Sequence, residues 1–190
     1  MADSFSVDFH KLFWQPISCA VFLLKDARQF RFLEMHTDYL NPESHERQGV
    51  PDLVSRSLAT TRRFDALKLW ISLQTLGREK LGAMIDRTFE LAQHAARRIR
   101  EARCLGLVHE PQLGCVVFRY LPEKREVDAD RVNPEIRRRL LQEGSAVIGH
   151  TRVHGHACLK LTILNPCVTE AQITALLEDV QNAGRQIELE

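Results

Sequence analysis

The sequence predicts an α/β fold in which the end of a larger domain is followed by a smaller α+β domain. Residues 5–9 alternate apolar with polar side chains, and residues 19–24 are apolar throughout, so both segments are expected to be strands. A strand as apolar as the second belongs in a sheet that is covered on both faces. The next stretch of chain offers no such cover, so we expect the chain to begin within a domain.

The middle of the chain predicts a loop followed by two helices. Residues 34–56 are polar and irregular, which is typical of functional or disordered segments. A helix is expected from near Phe64 to Gly77, and a second one over residues 78–103, where apolar residues recur at helical spacing. We therefore divide the chain into residues 1–77 as the end of the large domain, a linking helix, and a small domain.

The small domain, residues 104–190, is predicted from short strands that alternate with two helices. One helix is expected to start at Asn133-Pro134, with proline in its first turn, and the other to follow Thr169 and reach about Gln181. The expected strands cover residues 104–108, 115–120, 146–153 and 157–164.

The composition narrows the class of protein. Lys and Arg number 26 and Asp and Glu 25, so no net field attracts the chain to nucleic acid or an anionic membrane. Its apolar runs are too short to cross a bilayer, and Met1-Ala-Asp-Ser-Phe lacks the features of a signal peptide. The five cysteines are far apart in sequence, which favours buried thiols over disulfides or a metal site. The expected location is the cytoplasm.

Lys11 is the first candidate for chemistry, because it lies directly after a predicted strand. An ammonium is costly to bury at such a position, so a paired or a neutral amine is expected there. A neutral amine can attack a carbonyl group and form a Schiff base. Judged by spacing alone, an ordinary lysine with its charge in solvent is the simpler interpretation.

Two other clusters have a structural and a functional interpretation. His150, His154 and His156 could hold a metal ion, but residues 153–156 favour a hairpin turn. The arginines at 137–139 could bind phosphate or nucleic acid, but nearby acidic residues favour a solvated helix face. We prefer the structural interpretation of both clusters.

Several segments, in order along the chain, resemble one known family. Residues 2–11, Ala-Asp-Ser-Phe-Ser-Val-Asp-Phe-His-Lys, resemble the lysine segment of the group II pyridoxal-phosphate-dependent amino-acid decarboxylases, and residues 15–19 resemble the next segment of that family. Residues 36–42, His-Thr-Asp-Tyr-Leu-Asn-Pro, resemble its mobile catalytic loop. Residues 61–70 resemble its Arg-Arg-Phe helix start, and residues 159–166 a strand of its C-terminal domain. These segments are most similar to the diaminobutyrate branch.

The resemblance implies a fold and a set of roles. The fold would be the end of a type I pyridoxal-phosphate large domain followed by an α+β small domain. Lys11 would carry pyridoxal phosphate, His10 would lie near its phosphate, and Tyr39 would protonate the carbanion left after decarboxylation. Lys160 stands where the family usually has Arg and is a candidate for the substrate carboxylate, although Lys offers no bidentate fork. Asp8, where some relatives have Asn, would be unfavourable near the phosphate unless it points away.

The resemblance also implies which parts lie outside these 190 residues. In the family, the groups that hold the pyridine nitrogen, stack on the ring and bind most of the phosphate precede the lysine segment. The chain thus resembles a C-terminal part, expected to be inactive alone, of a homodimeric decarboxylase for L-2,4-diaminobutyrate or a similar basic amino acid. The alternative is a non-catalytic remnant or assembly partner that needs a separate N-terminal chain. A nucleic-acid or interaction module rests on the arginines alone.

Overall fold

The computed structural model describes residues 2–35, 37, 39–49, 53–57, 59 and 61–190. His36, Asp38 and Val50, which belong to the predicted catalytic loop, lie outside the described residues. The chain forms two compact units, Met1–Arg78 and Glu79–Glu190. Each unit is described by itself.

The N-terminal unit contains a two-stranded antiparallel sheet. Strand β1, Ser4–Asp8, pairs with strand β2, Ala20–Leu24, so that Ser4 lies opposite Leu24 and Asp8 opposite Ala20. The unit also contains a 3-10 helix at Ala27–Leu33, helix α1 at Glu43–Arg47, a 3-10 helix at Val54–Arg56 and the start of helix α2, Ala66–Glu101.

The apolar side chains of this sheet are largely uncovered. Phe22 and Leu23 of β2 are each 52% exposed, and β1 is exposed except at Val7. The lack of full cover for residues 20–24 agrees with the sequence, whereas Cys19 is buried. The strand that precedes Lys11 is not buried, because a single antiparallel partner covers neither face of β1.

Helix α1 lies inside the segment predicted to be irregular. Pro42 precedes the helix, and its carbonyl accepts a hydrogen bond from the backbone N–H of His45 at 2.9 Å. Proline has its φ angle preset for the start of a helix and no N–H that would need a partner. A turn of helix is therefore stable here although the segment has no apolar periodicity.

Helix α2 is interrupted at Gly77, as the sequence predicts. Gly77 has φ 75° and ψ 166°, a conformation open to glycine and strained for other residues. The interruption lies one residue before Arg78, where the N-terminal unit ends.

The C-terminal unit is built on a four-stranded antiparallel sheet with strand order β3-β4-β6-β5. Its strands are β3 at Leu105–Leu107, β4 at Cys115–Tyr120, β5 at Gly149–Val153 and β6 at His156–Thr162. Helices α3, Ala129–Gln142, and α4, Glu170–Leu189, complete the unit together with the remainder of α2. The alternation of strands and helices predicted for this region is confirmed.

Both C-terminal helices extend beyond their predicted limits. Helix α3 starts at Ala129 rather than near Pro134, because the Asp128 side chain caps it by accepting from the backbone N–H of Asp130. Helix α4 starts after Thr169 with a capping box, as expected, but continues past Gln181 to Leu189.

One contiguous core fills the C-terminal unit. Leu91, Ala92 and Ile99 of α2 pack in the same cluster as buried residues of the sheet and of α3 and α4. The remaining members include Val116, Phe118, Tyr120, Ile136, Leu140, Leu159, Leu161, Leu177 and Val180. The predicted linking helix thus contributes to this core, and the three-part division into domains stays a prediction.

Two further features bear on the class of protein. Within the described part of the chain, no helix is long and apolar enough to span a membrane. All five cysteines are free thiols, and three of them, Cys19, Cys104 and Cys158, are buried.

Candidate functional site

Lys11 lies in a compact turn between β1 and β2. Backbone hydrogen bonds close this turn: the Lys11 N–H donates to the carbonyl of Asp8 at 3.2 Å, and the Gln15 N–H donates to the carbonyl of Phe9 at 3.0 Å. The His10 N–H reaches across to the Cys19 carbonyl at 3.3 Å. The backbone on both sides of Lys11 is therefore held in one conformation.

Polar contacts from helix α2 support the same turn. Gln15 is 7% exposed, and its Nε2 donates to Ser72 Oγ at 3.0 Å. Lys68 Nζ donates to the carbonyls of Pro16 and Ser18, at 3.2 and 3.1 Å. Because a buried polar group such as the Gln15 amide needs a hydrogen-bond partner, these bonds hold the loop on helix α2. They do so without an apolar core.

The Lys11 amine is paired with a carboxylate. Its Nζ lies 2.7 Å from Asp8 Oδ2, and the two side chains are 62% and 42% exposed. The hydrogen bond from Lys11, with the charges of Lys11 and His10, lowers the pKa of Asp8, and its slight burial opposes this. The expectation of a paired or neutral amine is met by the paired form, and the Asp8 carboxylate is turned toward Lys11.

His10 uses one ring nitrogen inside the turn. Its Nδ1 lies 3.2 Å from the carbonyl oxygen of Cys19, which can only accept, so Nδ1 carries a proton. The ring is half-buried and held by this bond. Its Nε2 is then an acceptor in the neutral ring and a donor in the charged ring.

Tyr39 lies in a turn that Asn41 holds together. Asn41 is 3% exposed; its Oδ1 accepts from the backbone N–H of Thr37 at 3.0 Å, and its Nδ2 donates to the carbonyl of Met35 at 2.5 Å. The Tyr39 side chain is 93% exposed. No hydrogen bond between described residues joins Tyr39 to Lys11. The role of Asn41 was not predicted from the sequence, where the Asn41-Pro42 dipeptide was the available turn signal.

Lys160 belongs to the C-terminal unit. It lies on strand β6, opposite Val117 of β4 and Gly149 of β5. Its side chain borders a groove of about 440 Å³ that is otherwise mostly apolar, with Leu161 and Ile173 in its wall. A cation in the wall of an apolar groove can bind a carboxylate as a point charge.

The histidine cluster forms the predicted hairpin turn. Strands β5 and β6 are joined by His154 and Gly155, whose φ angles are 50° and 85°. Two consecutive positive φ angles are typical of a tight two-residue hairpin. Among the residues that the structure describes, no three His, Cys, Asp or Glu side chains lie close enough to hold a metal ion.

The arginine triplet is engaged within the chain. Arg137 Nε donates to the Ile148 carbonyl at 3.1 Å, and Arg139 pairs with Glu190 at 2.8 Å. Arg138 pairs with Glu135 on the same helix. These contacts agree with the structural interpretation of the triplet.

A family model and curated relatives match this chain. The model, described as the pyridoxal-dependent decarboxylase conserved domain, matches residues 1–121. The chain is 43% identical to an L-2,4-diaminobutyrate decarboxylase of Acinetobacter baumannii over 188 residues, which cover 98% of this chain and 37% of that protein. It is 37% identical to an L-2,4-diaminobutyrate decarboxylase of Rhizobium meliloti (strain 1021) over 187 residues, which cover 98% of this chain and 38% of that protein.

Solved structures share the fold. The decarboxylase domain of a diaminobutyrate-pyruvate transaminase and L-2,4-diaminobutyrate decarboxylase from Vibrio parahaemolyticus matches with a TM-score of 0.79 and 37% identity, over 97% of this chain and 35% of that one. The Oryza sativa TDC, solved with PLP and tryptamine, matches with a TM-score of 0.87 and 26% identity, over 98% and 39%. The predicted fold, the end of a type I large domain followed by a small domain, is confirmed by these neighbours.

The matches cover most of this chain but a smaller part of the two curated relatives described above. The family model covers well over half of this chain. These two curated relatives of the chain are named decarboxylases, which are carboxy-lyases. The chain spans less than two fifths of the length of the two diaminobutyrate relatives. This chain belongs to the family of pyridoxal-phosphate-dependent decarboxylases.

Proposed function

We propose that this chain is the C-terminal part of a decarboxylase that acts on L-2,4-diaminobutyrate or a similar basic amino acid. The two curated relatives described above, at 43% and 37% identity, bear that substrate in their names. The observation that carries the proposal is the Lys11 turn, where an accessible amine lies after β1 on a backbone held by hydrogen bonds.

The Lys11 turn suits part of the attachment of pyridoxal phosphate. The Lys11 side chain is 62% exposed, so its amine is open to an aldehyde, and the Nε2 of His10 could donate to a phosphate from the charged ring. Lys11 would hold the cofactor and His10 would contact it. When bound, pyridoxal phosphate supplies an electron sink for the bond that breaks as carbon dioxide leaves. Its other contacts would come from a segment outside this chain.

Tyr39 is proposed as the proton donor. A phenol holds a proton at its Oη and can deliver it to carbon once the carboxylate has left. Because the side chain is 93% exposed here, the role requires that the loop close over the substrate and exclude water. The turn held by Asn41 would present the phenol during that closure.

The remaining proposed features concern binding and assembly. Lys160 would attract the substrate carboxylate by charge, from the wall of its groove. We also propose that the complete enzyme is a cytoplasmic homodimer and that this chain alone releases no carbon dioxide. The last point is expected because Lys11 and His10 are the residues of this chain that we assign to the cofactor, and its other contacts would come from outside the chain.

A chimera tests the proposed function. The matched C-terminal part of the Acinetobacter baumannii relative is replaced by this chain, and the relative supplies the other part of the enzyme. Carbon dioxide release from L-2,4-diaminobutyrate is then measured for the chimera and for this chain alone. We expect turnover by the chimera only. An inactive chimera that folds and dimerises would favour the alternative, a non-catalytic remnant or assembly partner.

Two variants of the chimera assign the roles. Lys11→Arg should abolish turnover and remove borohydride-fixed pyridoxyl label from this segment, while Lys25→Arg, at the end of β2, should change neither. Tyr39→Phe should retain the label on Lys11 and lose most turnover, since binding and protonation use different groups. Label that persists on another lysine in Lys11→Arg would refute the cofactor assignment. Unchanged turnover in Tyr39→Phe would exclude Tyr39 as the proton donor.

A further inference from the structure

Asp8 is the acidic side chain that contacts the candidate cofactor lysine. Its Oδ2 lies 2.7 Å from Lys11 Nζ, three residues along the chain. The two residues are also joined through the backbone, because the Lys11 N–H donates a hydrogen bond to the Asp8 carbonyl at 3.2 Å. Backbone and side chain of both residues thus belong to one turn.

The contact with Asp8 bears on how readily the Lys11 amine reacts with an aldehyde. A lysine attacks an aldehyde only as the neutral amine: nitrogen adds to the carbonyl carbon, the aldehyde oxygen leaves as water, and a carbon–nitrogen double bond forms. The ammonium must first give its extra proton to solvent. The Asp8 carboxylate, 2.7 Å from Lys11 Nζ, forms an ion pair with the ammonium, and this contact must be broken before the nitrogen can attack.

We propose that Asp8 is a positioning residue that holds the Lys11 ammonium in its turn and slows its reaction with pyridoxal phosphate until the pair is broken. The inference rests on the proposed role of Lys11. The hydrogen bond from Lys11 lowers the pKa of Asp8 most, and the neighbouring Lys11 and His10 side chains of the same turn add to this effect. Asp8 therefore stays a carboxylate wherever the reaction is measured near neutral pH.

The experiment measures labelling rates in the 190-residue chain. Pyridoxal phosphate is added, samples are quenched with borohydride at intervals, and labelled peptides are quantified by mass spectrometry. Lys25, at the end of β2, serves as the reference lysine in every sample. Asp8→Asn should label Lys11 about two- to five-fold faster than the wild type, the size expected of an exposed ion pair. Asp26→Asn, which removes an exposed aspartate paired with Arg28 in the same unit, should not change the Lys11 rate.

Salt and a conservative variant separate charge from structure. In about 1 M salt, where the Debye length falls to about 3 Å, the attraction between Asp8 and Lys11 should weaken, so the wild-type Lys11 rate should rise part of the way toward that of Asp8→Asn. Asp8→Glu, which keeps the carboxylate, should restore the slow rate. A Lys11 rate that is unchanged or lower in Asp8→Asn would overturn the inference. That failure is distinct from failure of the proposed function, which would be seen as full turnover by the Lys11→Arg chimera.

Discussion

The two compact units differ in how they are held together. Twenty residues of Glu79–Glu190 form a single buried apolar cluster. Among the described residues of Met1–Arg78, Cys19 is the one buried hydrophobic residue, and large side chains such as Phe22 and Trp70 are exposed. Burial of apolar surface dominates folding free energy, so the C-terminal unit contains most of the stability of this chain.

The candidate cofactor turn lies in the unit without a core. Lys11 and His10 are held there by hydrogen bonds, and the loop is tied to helix α2 through Gln15 and Lys68. Hydrogen bonds to exposed groups add little net stability, since water offers the same partners. This chain thus shapes the turn by hydrogen bonds within the N-terminal unit, where an extended apolar core is lacking among the described residues.

The largest contrast is expected from matched phenylalanines. Phe118→Ala, in β4 with no exposed surface, should lower the free energy of unfolding by about 3–5 kcal/mol through lost contacts and a cavity. Phe22→Ala, in β2 and 52% exposed, should change it by about 0.5 kcal/mol or less. Urea unfolding followed by circular dichroism measures both. Equal losses of unfolding free energy would contradict the proposed difference between the units, since both would then depend on a core.

A smaller effect is expected from glycines on two helices. A Cβ on Gly184 would lie 2.6 Å from Cδ2 of the buried Tyr120 ring, so Gly184→Ala should cost about 1–3 kcal/mol through overpacking. Gly82→Ala is the matched control: apart from its chain neighbours and the backbone of its own helix, no described heavy atom lies within 4 Å of the added Cβ, and alanine favours a helix by about 0.5–1 kcal/mol. Thermal unfolding should therefore shift in opposite directions. A neutral Gly184→Ala would show that α4 packs less tightly on the sheet than this contact indicates.

The smallest effect is a pH dependence of the C-terminal unit. The backbone N–H of Ala157 lowers the pKa of Asp130 most, and His156 and Arg119 add to it against slight burial. The folded state thus binds this proton less readily than the unfolded state, so its contribution is present above the unfolded pKa of about 3.9 and is lost as pH falls through the lower, folded value.

Unfolding free energies measured between neutral and acidic pH test this. As the pH falls through the folded-state pKa of Asp130, the wild type should lose stability. Asp130→Asn should lose less on acidification. Asp26→Asn, in the N-terminal unit, should leave the acid dependence of the C-terminal unit as it is. An identical acid profile for Asp130→Asn and the wild type would show that Asp130 contributes nothing to this dependence.

Features set by local backbone chemistry could be predicted from the sequence. The interruption at Gly77, the strand over Cys115–Tyr120 and the turn at His154 and Gly155 all depend on a few adjacent residues. The family resemblance also pointed to Lys11, whose neighbours in sequence are its neighbours in space.

Features set by side-chain bonds to distant or unexpected partners could not be predicted. Helix α3 starts before Pro134 because Asp128 caps it, and the Asn133 side chain, fully buried, donates to the Ala129 carbonyl at 2.8 Å. A proline in the sequence indicates the first turn of a helix more often than its interior. The ion pair of Asp8 with Lys11 likewise depends on the turn geometry, which spacing alone leaves open.

Hydrogen–deuterium exchange tests most directly whether the C-terminal unit contains most of the stability. It also tests whether the candidate site lies in a unit without a core. In the 190-residue chain, the amides of β4 and β6 should exchange slowest, close to the rate of global unfolding. Amides of β1 and β2 should exchange at least about a hundred-fold faster, because local opening exposes them. Equal protection of the two sheets would contradict the account, since the turn with Lys11 would then be as stable as the core.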